Sequence, residues 1–189
     1  MPDDPGDTTR MASLTDVPEG QRWQIASRLA GNLPVLYDAV FRDYVGAEDF
    51  DRLERDIWIE VAKEGRTIAW TYRWPVGNAG AIASTLSAIA GLFFGTEFKQ
   101  EVLDLSPDTA VILRKRCPFH THAMMLQRNP EHLFAKCLVF SVVTVEQLNP
   151  AFTLRFVRGS CMGDRQCELK VVRKDLVEER SKPPSPDKK

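Results

Sequence analysis

The sequence lacks a surplus of charge of either sign: 25 Lys and Arg stand against 26 Asp and Glu, a net charge of −1. Without a basic field there is nothing to gather a polyanion, so nucleic acid is not an expected partner and a small molecule or protein is. The opening Met1-Pro2-Asp3-Asp4-Pro5-Gly6-Asp7 lacks the cationic and then apolar stretch of a secretory leader. The expectation is therefore a cytoplasmic protein with reduced thiols rather than disulfides. Also missing are GxGxxG, P-loop, GxSxG and HExxH signatures, so no nucleotide-binding, serine-hydrolase or zincin chemistry is announced. Histidine is scarce, with three residues, and cysteine is absent from the first 116.

Residues 74–96 carry no charge at all. Their length alone would allow a membrane span, but Pro75, Asn78, Ser84, Thr85, Ser87, Thr96 and four glycines make the stretch only weakly hydrophobic, and no membrane association is expected. Ala79, Ala83, Ser87, Gly91 and Gly95 recur every four residues. On a helix they form a ridge of small side chains, suited to a buried helix, the wall of a ligand pocket or the seam of a possible homodimer.

What is present is an ordinary globular composition, 43% apolar and 27% charged. Residues 1–18 and 176–189 are polar and rich in Asp, Pro and Lys, and are expected to be disordered; a single domain is expected over 19–175. Leu29, Leu33, Leu36, Tyr37, Val40, Phe41 and Tyr44 follow helical spacing. Pro34 is expected to break that helix at Gly31-Asn32-Leu33-Pro34. The next helix should start near Ala47-Glu48-Asp49, where acidic residues suit its dipole, and run past Gly65 toward Trp70, with 67–74 able to form a separate element.

Beyond Phe98 the pattern turns to strands. Residues 101–105 and 110–115 flank Ser106-Pro107-Asp108 as a hairpin, and 153–157 and 167–172 form a second strand pair. Between the pairs lie a short helix after Cys117-Pro118 and a long apolar one over 131–148, closed by Asn149-Pro150. The order of elements predicts an α+β domain, with N-terminal helices packed on a four-stranded antiparallel sheet.

The four cysteines are Cys117, Cys137, Cys161 and Cys167, spaced x19, x23 and x5. Cys161 and Cys167 flank a Gly-Asp turn, Cys117 ends a strand, and Cys137 lies on the helix able to cover those ends. Four thiolates suit either a structural zinc or an iron–sulfur cluster. The missing C-x2–4-C knuckles tilt the reading toward a cluster, [4Fe–4S] favoured, with zinc as the alternative. Plain burial in the core is the other reading, and Cys137 fits it best. His120 and His122 follow Cys117 closely, and His120 is a candidate general base. Asp164 is a candidate proton mover, or simply the residue that closes the turn. His132 opens a helix and reads as structural.

Cys117-Pro118, the distant Cys137, Leu148-Asn149-Pro150 and above all Cys161-Met162-Gly163-Asp164-Arg165-Gln166-Cys167-Glu168-Leu169 resemble the L-2-amino-thiazoline-4-carboxylic acid hydrolase-like family and the related 4-vinyl reductase domains. The resemblance implies a compact α+β fold with a small-molecule pocket between helices and sheet. In sensors of the 4-vinyl reductase type it implies a structural zinc on such cysteines, although the Cys-x5-Cys spacing here is shorter than theirs. The expected function is a small-molecule enzyme, a hydrolase or lyase opening a C–N ring, with His120 and Asp164 catalytic beside a metal or iron–sulfur site. The alternatives are a small-molecule sensor or accessory domain with a structural metal, and an iron–sulfur redox protein.

Overall fold

The structure, a computed structural model, describes residues 13–95 and 97–181. The expected disorder of 1–12 and 182–189 lies outside the described residues. A 3-10 turn at Leu14–Asp16 leads into α1 (Glu19–Val45), α2 (Ala47–Thr71) and α3 (Ala79–Phe94). The hairpin β1 (Lys99–Ser106) and β2 (Thr109–Arg116) follows, then α4 (Pro118–Met125) and α5 (His132–Leu148). The chain closes with β3 (Phe152–Arg158), a 3-10 turn at Ser160–Met162, β4 (Cys167–Arg173) and α6 (Lys174–Ser181).

The architecture is α+β: the four strands form one sheet in the order β1-β2-β4-β3, with every neighbouring pair antiparallel. Cross-strand partners Ile112 and Leu169, and Ala110 and Val171, put one buried face toward the helices. The two margins, β1 and β3, each carry irregular register, at Lys99/Gln100 and Asp104/Ser106 in β1 and at Phe156/Arg158 in β3.

The uncharged stretch becomes α3, which lies across β1, β2 and β4 with Ile82, Leu86 and Ile89 fully buried. Charge is absent because most of its surface meets protein. Asn78 caps it by accepting the Ala81 amide at 2.8 Å. The small-residue ridge is mostly covered by the chain itself, with Ala79, Ala83 and Gly95 buried and Ser87 and Gly91 half-buried, so it offers little to a second copy. No helix among the described residues is long and apolar enough to cross a membrane. On α2, Phe50, Glu54, Trp58, Ala62, Gly65 and Ala69 face inward. A Cβ at Gly65 would stand 3.1 Å from Ile89 Cγ2, so glycine sets how closely α2 and α3 approach.

Two expectations need correction. α1 runs unbroken through Pro34. The proline sits on the face packed toward α3 and α4, with Gly31 against Phe94 and Pro118 beside it, and that tertiary packing outweighs the lost amide. As expected, α2 runs on past Gly65 to Thr71, without a change of element at 67–71. α6 begins directly at the end of β4, and its residues 176–181, expected to be disordered, are helical.

Candidate functional site

Two places in the molecule combine burial with chemistry. The first is the cysteine hollow. Cys117, Cys137, Cys161 and Cys167 line one small cavity of about 10 Å³ together with Arg114, Phe134 and Phe156. All four thiols are free; three cysteines are buried and Cys137 is half-buried. The fold assembles them from four directions: Cys117 leaves β2, Cys137 rides on α5, Cys161 sits in the 3-10 turn after β3, and Cys167 opens β4. Gly163, at φ +95°, allows the tight return between the last two. Cys167 Sγ accepts the Ser160 amide at 3.3 Å.

Asp164 closes this turn. Its Oδ2 accepts the Gly159 amide at 2.8 Å, and its own amide donates to the Gly159 carbonyl at 3.2 Å. Neither Asp164, which is exposed, nor His120, which is half-buried, lines the cysteine hollow. His122 keeps a buried Nδ1 without a hydrogen-bond partner among the described residues. His132 lies elsewhere, its Nδ1 3.4 Å from Asp38 Oδ2.

Sequence reasoning missed Arg114. It is 2% exposed and pairs across the sheet with Cys167. Its Nη1 donates to Cys137 Sγ at 3.3 Å, its guanidinium lies 4.6 Å from the Phe98 ring centroid, and its Nε has no hydrogen-bond partner among the described residues. Burial works against the guanidinium charge, and negative charge on the sulfurs of Cys137, Cys117 and Cys167 would favour it. Burial pushes the Cys117 thiol up to about 12 and raises Cys137 and Cys161 as well, so these three are protonated at neutral pH in this conformation. A permanent buried cation thus faces neutral sulfur. Among the described residues, no three His, Cys, Asp or Glu side chains are arranged to hold a metal ion.

The second place is a pair of hollows separated by α2. One, of about 350 Å³, lies between α1, α2 and α3 and is lined by Leu33, Tyr37, Ile57, Trp58, Val61 and Phe93 among others. The other, of about 320 Å³, lies between α2 and α5 beside Arg55, Lys136 and Val139. Glu54 and Trp58, one helical turn apart, belong to both.

Behind Glu54 is a buried ion network. Lys136 Nζ donates to Glu54 and stands 3.6 Å from Asp38 Oδ1. Asp38 Oδ1 also accepts from Arg42 Nε at 2.9 Å, and Arg42 reaches on to Asp51 at 2.6 Å. Phe50 stands beside both cations, 5.1 Å from Arg42 and 5.5 Å from Lys136. Burial raises the Glu54 carboxyl above its ordinary range, and Lys136 only partly opposes this. Asp38 is also desolvated, but Arg42 and then Lys136 hold it below the usual range. A signal for this network was present: Glu54 stands midway between Phe50 and Trp58 at helical spacing, and Lys136 between Leu133 and Phe140. A charge on an inward stripe needs a buried partner.

No family model matches the chain, and no curated protein does. Among solved structures, the phenol-responsive sensory domain of the transcription activator PoxR, determined with phenol, is 12% identical, with a TM-score of 0.48 over 84% of this chain and 82% of that one. Trafficking protein particle complex subunit 3 from Naegleria fowleri, determined covalently bound to palmitic acid, is 12% identical, with a TM-score of 0.47 over 82% of this chain and 96% of that one. Both TM-scores lie below 0.5, too low for either likeness to assign a ligand to this chain.

Proposed function

We propose that this chain is a small-molecule-binding domain of sensory or accessory type, holding an apolar ligand in the hollow between α1, α2 and α3 with Glu54 as the polar anchor. The observation that carries this reading is the hollow itself. Its volume of about 350 Å³ falls in the small-ligand range. Its walls are leucine, isoleucine, valine and aromatic rings, and its carboxyl is one whose charge burial disfavours. Binding is favoured over turnover because the two candidate proton movers, His120 and Asp164, line neither hollow. A ring-opening hydrolysis needs a base and an activated nucleophile beside the ligand, and the lining supplies a single acid.

An uncharged fluorescent naphthylamine tests this. Saturable binding at about one equivalent is expected, with quenching of tryptophan emission. Val61→Trp, which fills the hollow from its own wall, should weaken binding at least about tenfold while far-UV circular dichroism is kept. Unchanged affinity in that variant would sink the proposal.

A second reading concerns the cysteines, and Arg114 favours it. An uncompensated guanidinium in the interior is costly, and a set of thiolates is the counter-charge at hand. Cys117, Cys137, Cys161 and Cys167 would hold a single soft divalent ion such as zinc, with the thiols turned into the hollow. The bound ion would keep these sulfurs as thiolates and tie β2, α5 and the β3–β4 connection together. The room at the hollow is about that of one water, which suits one ion better than a [4Fe–4S] cube. Elemental analysis of protein purified without chelator should find about one zinc per chain. The thiols should resist a disulfide reagent until a strong chelator is added. Iron with sulfide would replace the single ion by a cluster; absence of metal, with thiol reactivity unmoved by chelator, would return the cysteines to the core.

A further inference from the structure

α1 is built inside out. Its inward face carries Ser27, Gly31, Pro34, Val35 and Asp38, mostly small or polar residues, while its large hydrophobics point away from the molecule. Leu29 is 56% exposed, Leu36 41%, Val40 53% and Tyr44 87%. With the half-buried Leu33 they fall at three- and four-residue steps along one face. α2 extends the patch with Leu53 and Ile57, both exposed. Ile57 meets Leu33 and Tyr37 at the rim of the ligand hollow, so the two helices present one continuous surface.

From this arrangement we infer that a second copy of this chain docks on the outer face of α1 and α2, with the two α1 helices antiparallel. Area is the first reason. The exposed large side chains of this face amount to on the order of 900 Å² per copy, close to the roughly 800 Å² per partner of a standard stable interface and above the largest patch of a typical monomer.

Self-complementarity is the second reason, and it selects a copy of the same chain over an unrelated partner. Arg22 lies on the stripe near its start and Asp43 near its end. A two-fold axis between Asn32 and Leu33 sets Arg22 of one copy opposite Asp43 of the other, Leu29 opposite Leu36, and Ile25 opposite Val40. The small-residue ridge on α3 plays no part.

Docking of this kind also roofs the hollow at Leu33, Tyr37 and Ile57. The dimer does not depend on a ligand, so its mass is measured without one. Sedimentation equilibrium of the full chain is expected to give a dimer at micromolar concentration. Arg22→Glu and Asp43→Arg singly should each raise the dissociation constant about tenfold or more, and the double exchange should recover most of the loss. Leu36→Glu, on an exposed position that leaves the fold intact by circular dichroism, should give a monomer. A wild-type monomer at about 100 μM would overturn the inference, since a standard interface holds far below that concentration. A dimer indifferent to Leu36→Glu would overturn the face, and a double exchange without recovery would overturn the antiparallel register.

Discussion

Replacing Lys136 with methionine should destabilise the fold by about 3–5 kcal/mol at neutral pH, the range for removing one partner of a buried ion pair. Methionine keeps the side-chain volume, so the loss is one of charge. Glu54 and Asp38 are left as two buried carboxylates with Arg42, and His132 beside Asp38, to answer them. The pH dependence separates this cause from a packing defect. Glu54 already titrates above its unfolded value of about 4.5, so its protonated form is the one that folding favours. Its contribution is fully present below that value and is lost as pH rises through the folded pKa. Without Lys136 the folded pKa climbs further, and the loss at neutral pH grows. Asp38 works in the opposite direction: held low, it contributes above about 3.8, and that contribution fades as pH falls through its depressed folded value. Between pH 7 and 5 the Glu54 effect dominates, so the deficit of Lys136→Met measured by urea unfolding should shrink across that window. Adding Glu54→Gln should recover much of the deficit at pH 7. A deficit that stays flat with pH would remove the charged account of this network.

Trp58→Ala should cost about 3–5 kcal/mol, the range for emptying a buried tryptophan site. The ring is 5% exposed and sits at the centre of an aromatic cluster, with centroids 5.8 Å from Phe94 and 6.0 Å from both Phe119 and Phe140. The Phe119 and Phe140 contacts are edge-to-face, the arrangement that adds to simple burial. These partners come from α3, α4 and α5, so the indole is where α2 is keyed to the rest of the fold. Trp58→Phe retains part of each contact and should cost less than half as much. A thermal midpoint for Trp58→Ala within a few degrees of the native one would show that the cluster relaxes around the gap.

The sheet was legible because its cues are local. Ser106-Pro107-Asp108 and Asn149-Pro150 punctuate strands and helix in the chain itself, and β1, β2, α5, β3 and β4 fall within a few residues of their expected positions. The placing of Cys117, Cys161 and Cys167 at strand ends and a Gly-Asp turn was legible for the same reason, whereas Cys137 reaches the same hollow from α5. What could not be read depends on tertiary partners. Pro34 breaks an isolated helix, and only its packing against α3 and α4 keeps α1 whole. Arg114 sits in a strand as one more charge in Arg114-Lys115-Arg116, and nothing local distinguishes the inward side chain from its exposed neighbours. Glu54, Asp38 and Lys136 lie on three helices, and their meeting is a property of the assembled fold.

The irregular margins of the sheet have a consequence for association. A straight, open edge strand is a template on which another chain can add its own strand. Here β1 shifts register twice and places Lys99, Glu101 and Asp104 along its length, while β3 shifts near its end beside Arg155 and Arg158. A bulge bends the ladder and an edge charge resists burial, so an incoming strand meets a broken set of donors and acceptors at either side. Edge-to-edge growth is disfavoured in both directions, while the large exposed apolar side chains gather on α1 and α2.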